Sequence, residues 1–139
     1  LAQAANESAW GTSRFATEAN NYFGQWCFRK GCGIIPNQRG EGEDHEVAKF
    51  KSVYYSVRSY FRNINTHRAY RSLRNNRAKL RNEKKPITGL EMITHLSSYS
   101  ARGAGYVKEL RNMIKSNKLA RHDNDDTISV TPIPNSDIH

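Results

Sequence analysis

The sequence opens on Leu1-Ala2-Gln3-Ala4-Ala5-Asn6-Glu7-Ser8-Ala9-Trp10-Gly11, a stretch that predicts the last turns of a helix. Alanine is the strongest helix former, and the small or apolar side chains at positions 1, 4, 5 and 8 share one face at helical spacing. Gly11 is the expected end, since the residue that follows a helix often needs a positive φ. This segment therefore begins the fold as a helix with a defined stop.

A single carboxylate, Glu7, lies in the final turn of that predicted helix. The C-terminal end of a helix carries partial negative charge, which should raise the pKa of a carboxyl group placed there. A carboxyl group with a raised pKa can serve as a general acid near neutral pH. The alternative is an ordinary solvated glutamate near a helix end, because most glutamates are exposed.

Several motifs in a consistent order extend this interpretation. The run Ala4-Ala5-Asn6-Glu7-Ser8-Ala9-Trp10-Gly11 resembles the catalytic signature of the glucosaminidase family of peptidoglycan hydrolases (glycoside hydrolase family 73, with a mannosyl-glycoprotein endo-beta-N-acetylglucosaminidase-like domain). The downstream run Asn20-Asn21-Tyr22-Phe23-Gly24 is similar to the second motif of that family. Residues 63–70 and the pairs Cys27 with Cys32 and Tyr99 with Ser100 resemble its Bax-like branch. The resemblance covers Leu1 to about Leu119.

The resemblance implies a mainly α, lysozyme-like helical domain with a small β-hairpin lobe at about residues 33–50. We expect a catalytic domain over residues 1–121 and an extended or disordered tail over residues 122–139. The substrate groove would run between the lobe and the helices. Because the chain opens inside a helix with no N-cap residue, we expect it to be an N-terminally truncated fragment of a longer precursor.

The resemblance also implies roles for particular residues. Glu7 would be the general acid, and Tyr106 matches a family tyrosine that starts the last helix beside that glutamate. The family draws a second acidic residue from the lobe, where Glu43 and Glu46 are the candidates; the alternative is a solvated acidic loop. Expected substrate-binding residues are Ser8, Asn21, Phe23, Gly24 and Tyr99, each of which could instead only pack. Neither a metal ion nor an organic cofactor is expected.

Cys27 and Cys32 are the two cysteines of the sequence. A zinc half-site would need a second Cys or His pair, and redox pairs usually have two intervening residues rather than four. A disulfide that closes a hairpin is therefore predicted. Such a bond indicates an oxidising compartment, so we expect an extracytoplasmic location in the bacterial periplasm or cell envelope.

Sequence patterns predict the remaining helices. Thr12 and Ser13 can cap a short helix over residues 14–19, and Ser56 can cap one with an apolar stripe at positions 57, 60, 61 and 64. Thr88 and Glu91 have the form of a capping box opening a helix that extends to position 96. The glycine-containing loop at 99–106 leads into a last helix with apolar positions 107, 110 and 114.

The net charge of +9 favours a polyanionic partner, either a cell wall with its peptide carboxylates or nucleic acid. Basic residues concentrate between positions 58 and 85, which is typical of a solvated helix face or of a polyanion-binding face. No apolar run is long enough to span a membrane.

The leading hypothesis is a monomeric endo-beta-N-acetylglucosaminidase that binds the peptidoglycan glycan strand, with no nucleic-acid partner. The alternatives are a lytic transglycosylase and a non-catalytic basic module that binds wall polymer or nucleic acid.

Overall fold

The structure is a computed structural model that describes residues 1–124. These residues form a mainly α domain with one small antiparallel sheet. The helices are α1 (Ala2–Glu7), α2 (Arg14–Ala19), α3 (Val53–Thr66), α4 (Arg71–Asn82), α5 (Gly89–Met92) and α6 (Ala104–Ser116). The strands are β1 (Trp26–Cys27), β2 (Gly33–Ile34) and β3 (Glu46–Ala48). Of the tail predicted at 122–139, residues 125–139 lie outside the described residues, and His122 ends a 3₁₀ turn, Leu119–His122.

Two of the predicted helix starts are confirmed by their caps. The Ser13 hydroxyl accepts a hydrogen bond from the Ala16 amide at 3.1 Å, and α2 covers the predicted residues 14–19. The Thr88 hydroxyl accepts one from the Glu91 amide at 3.2 Å and opens α5. The predicted continuation of α5 to position 96 is wrong, because the chain tightens into 3₁₀ turns from Ile93 onward.

Helix α3 begins earlier than the pattern predicted. Its N-cap is Ser52, and Ser56 is a buried residue inside the helix whose hydroxyl accepts from the Tyr22 amide at 3.2 Å. The predicted inward position of Phe61 is also wrong, since 57% of this residue is exposed. Ser56 therefore makes a tertiary contact and does not cap the helix. The local sequence could not predict this contact, because its partner lies 34 residues away in the chain.

The core forms around the inward face of α6. Tyr106, Val107, Leu110 and Ile114 are buried on that helix, and Leu110 has no exposed surface. They form one hydrophobic core with buried residues from the rest of the helical part of the domain, namely Ala2, Ile64, Tyr70, Leu73, Ile93 and Leu96. Burying one large aliphatic side chain contributes about 1.5–3 kcal/mol, so α6 is the main element holding the fold together. Its contacts with α1 place the end of α1 beside Tyr106.

The sheet contains the β-hairpin predicted for residues 33–50, because β2 and β3 pair antiparallel there, and β1 adds a third strand. Its strand order is β1-β3-β2, so β3 lies between the two strands that flank the cysteines. Cys27 and Cys32 are bonded, as predicted, but they link β1 to the start of β2 rather than closing a hairpin of paired strands. The lobe also begins at Trp26, before the predicted boundary at 33. Gly33 is required there because a Cβ atom would lie 1.9 Å from the Val47 carbonyl oxygen.

Over residues 1–124, none of the helices has the length and apolar character needed to cross a bilayer.

Removing the disulfide should destabilise the lobe. The bond closes a loop with a sequence separation of 5, for which the chain-entropy relation gives about 2 kcal/mol. We expect the double variant Cys27→Ser, Cys32→Ser to lose that much free energy of unfolding in urea titrations. The parent protein in a reducing agent should match the variant, whereas a loss below about 0.5 kcal/mol would contradict the prediction.

Candidate active site

Glu7 is the last residue of α1, as predicted, but α1 ends four residues before Gly11. The Ser8 hydroxyl donates to the Ala4 carbonyl at 2.6 Å and accepts from the Gly11 amide at 2.8 Å. Ala9 and Trp10 both adopt positive φ values, and Gly11 does too. A buried serine therefore holds the turn that ends α1, and this turn fixes the direction in which Glu7 leaves the helix.

The Glu7 carboxyl group lies in a groove of about 640 Å³ between the lobe and the helices. One wall comes from the loop that enters β1, another from α3, and the third from the 3₁₀ turn and loop at 99–101. The lining residues are Glu7, Phe23, Gly24, Gln25, Trp26, Ser59, Asn63, Tyr70, Tyr99, Ser100 and Ala101. Three of the five predicted substrate-binding residues (Phe23, Gly24 and Tyr99) are thus brought together with Glu7.

Gly24 allows a close approach to the Glu7 carboxyl group. Its φ is +67°, and a Cβ atom built on it would lie 3.0 Å from Glu7 Oε2. From the sequence, Gly24 is predicted to bind substrate. In the structure, the group nearest to a Cβ atom built on Gly24 is the Glu7 carboxyl group. Any larger residue would be strained and would displace the carboxyl group.

Phe23 and Tyr99 are joined across the groove. The Tyr99 hydroxyl donates to the Phe23 carbonyl at 2.7 Å, which ties the 97–99 turn to the loop before β1. The Phe23 ring stacks on Tyr60 with centroids 4.1 Å apart, and the Tyr99 ring stacks on Tyr106 at 5.9 Å. These contacts make the floor of the groove rigid beside Glu7.

Asn21 and Ser8 lie behind the groove surface, with 1% of each residue exposed. The Asn21 amide donates to the carbonyls of Gln25 and Ala48 at 2.9 Å each, and its oxygen accepts from the Gln25 amide. Asn21 therefore shapes the loop that carries Phe23 and Gly24 into the groove. Like Ser8, it is placed to support the groove rather than to contact a ligand.

The pKa of Glu7 is raised above its ordinary value of 4.5. Burial is the largest cause, because it penalises the charged carboxylate, and the nearby Glu109 adds to it. A hydrogen bond from Tyr106 and the charge of Arg102 act in the opposite direction. The sequence anticipated a raised pKa from the helix end, whereas desolvation in the groove is the principal cause.

Tyr106 lies beside Glu7, but below the groove floor. It is 1% exposed, and burial raises the pKa of its phenol well above the ordinary value of 10.0. The hydroxyl contacts Glu7 on one side and accepts from the Gln3 amide at 3.1 Å on the other. Its position allows it to orient the Glu7 carboxyl group.

The two lobe carboxylates are engaged elsewhere. The Glu46 oxygens accept from the amides of Gly31 and Gly33 at 2.9 and 3.0 Å, and these bonds hold the pKa of Glu46 below its ordinary value. Glu43 accepts from the Gly40 amide at 3.1 Å and lies 3.7 Å from the ring of His45. Neither residue lines the groove, so the structure brings neither of the two lobe carboxylates to Glu7.

Trp26 is a groove residue that the sequence reasoning missed. Its ring is stacked on His45, with centroids 3.6 Å apart and planes 11° from parallel, yet 56% of the residue is exposed. A flat aromatic face held open in a groove is suited to the apolar face of a sugar ring. The available signal was its position in the sequence, two residues after Gly24 and directly before Cys27, at the start of β1.

The basic stretch contributes to structure as well as to charge. Arg74 donates to the carbonyls of Ile64 and His67 at 2.9 and 2.8 Å, and Arg77 donates to Asn65 at 2.8 Å. The Arg74 bonds satisfy backbone carbonyls at the C-terminal end of α3, and the Arg77 bond holds the Asn65 side chain there. The packing of α4 against α3 therefore explains part of the high arginine content between positions 58 and 85.

Over residues 1–124, no group of three or more His, Cys, Asp or Glu side chains is placed to hold a metal ion.

Comparisons with known proteins show what this chain is similar to. The family model described as mannosyl-glycoprotein endo-beta-N-acetylglucosaminidase matches residues 1–119. Protein bax of Escherichia coli (strain K12) is 40% identical over 121 residues, which are 86% of this chain and 42% of that protein. The chain thus spans less than half the length of this curated relative. No solved structure gives a significant match.

Glu7 should reduce stability at neutral pH. Its pKa in the folded state lies above the ordinary value of 4.5. The folded protein therefore has its full stability below pH 4.5, and it loses part of that stability as the pH rises through the folded-state pKa of Glu7. Glu7→Gln carries no charge and should melt roughly 2–5 °C higher than the parent at neutral pH. The difference should vanish in acid, and the exposed control Glu18→Gln should show none. Equal melting temperatures of parent and Glu7→Gln at both pH values would contradict this.

Proposed function

Because the chain belongs to the glucosaminidase family, we propose that it hydrolyses β-1,4 glycosidic bonds of peptidoglycan with Glu7 as the general acid. The expected site of cleavage is the reducing side of N-acetylglucosamine. The observation that carries the proposal is the placement of Glu7: its carboxyl group lies in an open groove of about 640 Å³, and burial raises its pKa. A raised pKa lets the carboxyl group keep its proton to a higher pH, and a glycosidic leaving group requires a protonated carboxyl group.

The first step transfers the Glu7 proton to the glycosidic oxygen as the bond from that oxygen to C1 breaks. The groove lining in the described chain contains one carboxyl group, that of Glu7. The positive charge that develops at C1 would therefore be met by the acetamido oxygen of the substrate, as in glycosidases that use substrate assistance. The Glu7 carboxylate then takes a proton from water as the water oxygen bonds to C1 and the acetamido oxygen departs. Water is consumed, and Glu7 regains its proton.

The surrounding residues would orient the sugar. Trp26 offers an exposed aromatic face, while Asn63 and Ser59 of α3 supply polar groups on the opposite wall. Tyr106 is proposed to hold the Glu7 carboxyl group from below, and Glu43 and Glu46 are proposed to keep the lobe in shape rather than to activate water. This arrangement needs no metal ion or organic cofactor.

The expected partner is a peptidoglycan glycan strand bound by a single copy of the protein. The net charge of +9 would favour a wall with its peptide carboxylates. The disulfide supports an extracytoplasmic location, in the periplasm or cell envelope.

Lytic transglycosylase activity is a second candidate, and the single carboxyl group of the groove favours it. In that reaction Glu7 would protonate the leaving oxygen and then accept the proton of the 6-hydroxyl of an N-acetylmuramic acid residue as that oxygen bonds to C1. The product would be a 1,6-anhydro sugar, and no water would be consumed.

The test of the proposed function is turnover of purified peptidoglycan by the parent protein and by Glu7→Gln, with mass spectrometry of the released fragments. We expect the parent to release fragments with reducing N-acetylglucosamine ends. The variant should be slower by about 10²- to 10⁴-fold, the range that a general acid contributes. Glu18→Gln, which removes an exposed carboxylate from α2, is the matched control and should retain full activity.

The other possible outcomes would contradict either the proposed function or the role of Glu7. Anhydro ends would select the lytic transglycosylase, and equal rates for parent and Glu7→Gln would refute the role of Glu7. Salt-sensitive binding of wall polymer or nucleic acid without turnover by the parent would select a binding module.

Trp26→Ala should weaken substrate binding more than it slows the chemical step. Removing the exposed ring should raise KM about tenfold, equivalent to about 1.4 kcal/mol of binding, with kcat nearly unchanged. The matched control is Trp10→Ala, since Trp10 is 60% exposed and lies outside the groove lining. An equal effect of the two substitutions on KM would contradict a sugar-binding role for Trp26.

A further inference from the structure

A buried series of hydrogen-bonded side chains leads to Glu7 from below the groove. The Tyr60 hydroxyl of α3 donates to Gln3 Oε1, and Gln3 Nε2 of α1 donates to the Tyr106 hydroxyl of α6 at 3.1 Å. The Tyr106 hydroxyl in turn neighbours the Glu7 carboxyl group and acts as a hydrogen-bonding partner that lowers the pKa of that group. Tyr60, Gln3, Tyr106 and Glu7, called the buried series below, thus join three helices. Gln3 is 5% exposed and lies one helical turn before Glu7 on the same face of α1.

The donors and acceptors allow one direction through this series. Burial raises the pKa of Tyr60 to about 12 and that of Tyr106 further, so both phenols keep their hydrogens under ordinary conditions. Tyr60 donates its hydrogen to the Gln3 carbonyl, which leaves the Gln3 amide to face Tyr106. The Tyr106 oxygen accepts that amide hydrogen, so its own hydrogen has Glu7 as its partner. An amide with two defined ends therefore selects the direction of the last bond.

We propose that Gln3 is a positioning residue, which holds the Tyr106 hydroxyl so that its hydrogen points at the Glu7 carboxyl group and is strengthened as a donor. A hydroxyl that accepts a hydrogen bond donates a stronger one, so the effect of Gln3 reaches Glu7 without direct contact. Donation to the ionised carboxylate favours the ionised form. Gln3 thereby sets how readily Glu7 gives up its proton. The proposal rests on the proposed role of Glu7 as general acid.

Other groups also act on Glu7 and must be kept constant in any test. Glu109 of α6 and Arg102, in the loop before α6, influence it through their charges and are paired with each other. Burial and, to a smaller extent, the charge of Glu7 raise the pKa of Tyr99, from the 97–99 turn. The loop before β1 contributes Gly24, which has no charge. None of these groups belongs to the buried series, so substitutions within the series leave them in place.

The test follows the Glu7 carboxyl group by ¹³C NMR in protein labelled at the glutamate side-chain carboxyl carbon. Its resonance is assigned by its loss in Glu7→Gln. The variants are Tyr106→Phe, Gln3→Met and Tyr60→Phe, and each preserves side-chain size. Tyr60→Phe also preserves the ring that stacks on Phe23. The matched control is Tyr22→Phe, which removes a hydroxyl outside both the series and the groove lining.

We expect Tyr106→Phe to move the titration midpoint of Glu7 upward by about one pH unit, because a donor to the carboxylate is lost. Gln3→Met and Tyr60→Phe should each move it upward by about half a unit, since they weaken or redirect that donor. Without Tyr60, the Gln3 amide can turn over and accept the Tyr106 hydrogen itself. Tyr22→Phe should leave the midpoint unchanged, and the alkaline limb of kcat/KM should follow the NMR midpoint in every variant.

The positioning role is overturned if Gln3→Met and Tyr60→Phe keep the parent midpoint while Tyr106→Phe moves it, or if any of them moves it downward. If Gln3→Met does not fold, Tyr60→Phe decides the matter alone. A parent protein without turnover would refute the proposed function, whereas the NMR titration would still report on Gln3. The two failures are therefore distinguishable.

Discussion

The structure depends on the packing of α6 against the end of α1. This contact buries Tyr106 and Leu110, and it places a phenol directly under a carboxyl group that the helix end would otherwise leave in water. Partial burial destabilises the charged form of Glu7, and the hydrogen bond from Tyr106 offsets part of that destabilisation. The balance between the two raises the pKa while keeping the group ionisable. The role proposed for Glu7, that of a general acid which later acts as a base, needs both properties.

The lobe serves this site through its backbone rather than through its acids. Glu46 caps the amides of the disulfide loop, and Gly33 admits β3 between the two strands that flank the cysteines. The result is a rigid support that holds Trp26 open at the groove edge with its ring stacked on His45. Carboxylates that looked like candidates for water activation therefore have structural partners. Their absence from the groove is the reason that the proposed hydrolysis relies on substrate assistance, with transglycosylation as its alternative.

The basic character of the chain has two origins in the structure. Arg74 and Arg77 stabilise the carbonyl end of α3, and this use accounts for part of the positive charge between residues 58 and 85. Lys85 is paired with Glu83, and under the proposed function the remaining basic residues of that stretch would attract an anionic wall over a distance of about a Debye length. Under the proposed function, charge would bring the polymer near the protein, and the groove would decide which bond meets Glu7.

What the sequence by itself determined is local. The cap of α2, the opening of α5 and the position of Glu7 at a helix end depend on contacts within about four residues, so they could be predicted from the order of side chains. The bond between Cys27 and Cys32 was likewise predictable. Only the tertiary structure decided that Ser56 binds the Tyr22 amide and that the lobe acids lie away from the groove. It also decided that Gln3 binds Tyr106 and that Trp26 lines the groove. These outcomes depend on partners as many as 103 residues apart, as in the bond from Gln3 to Tyr106, and no local pattern encodes which buried groups will meet.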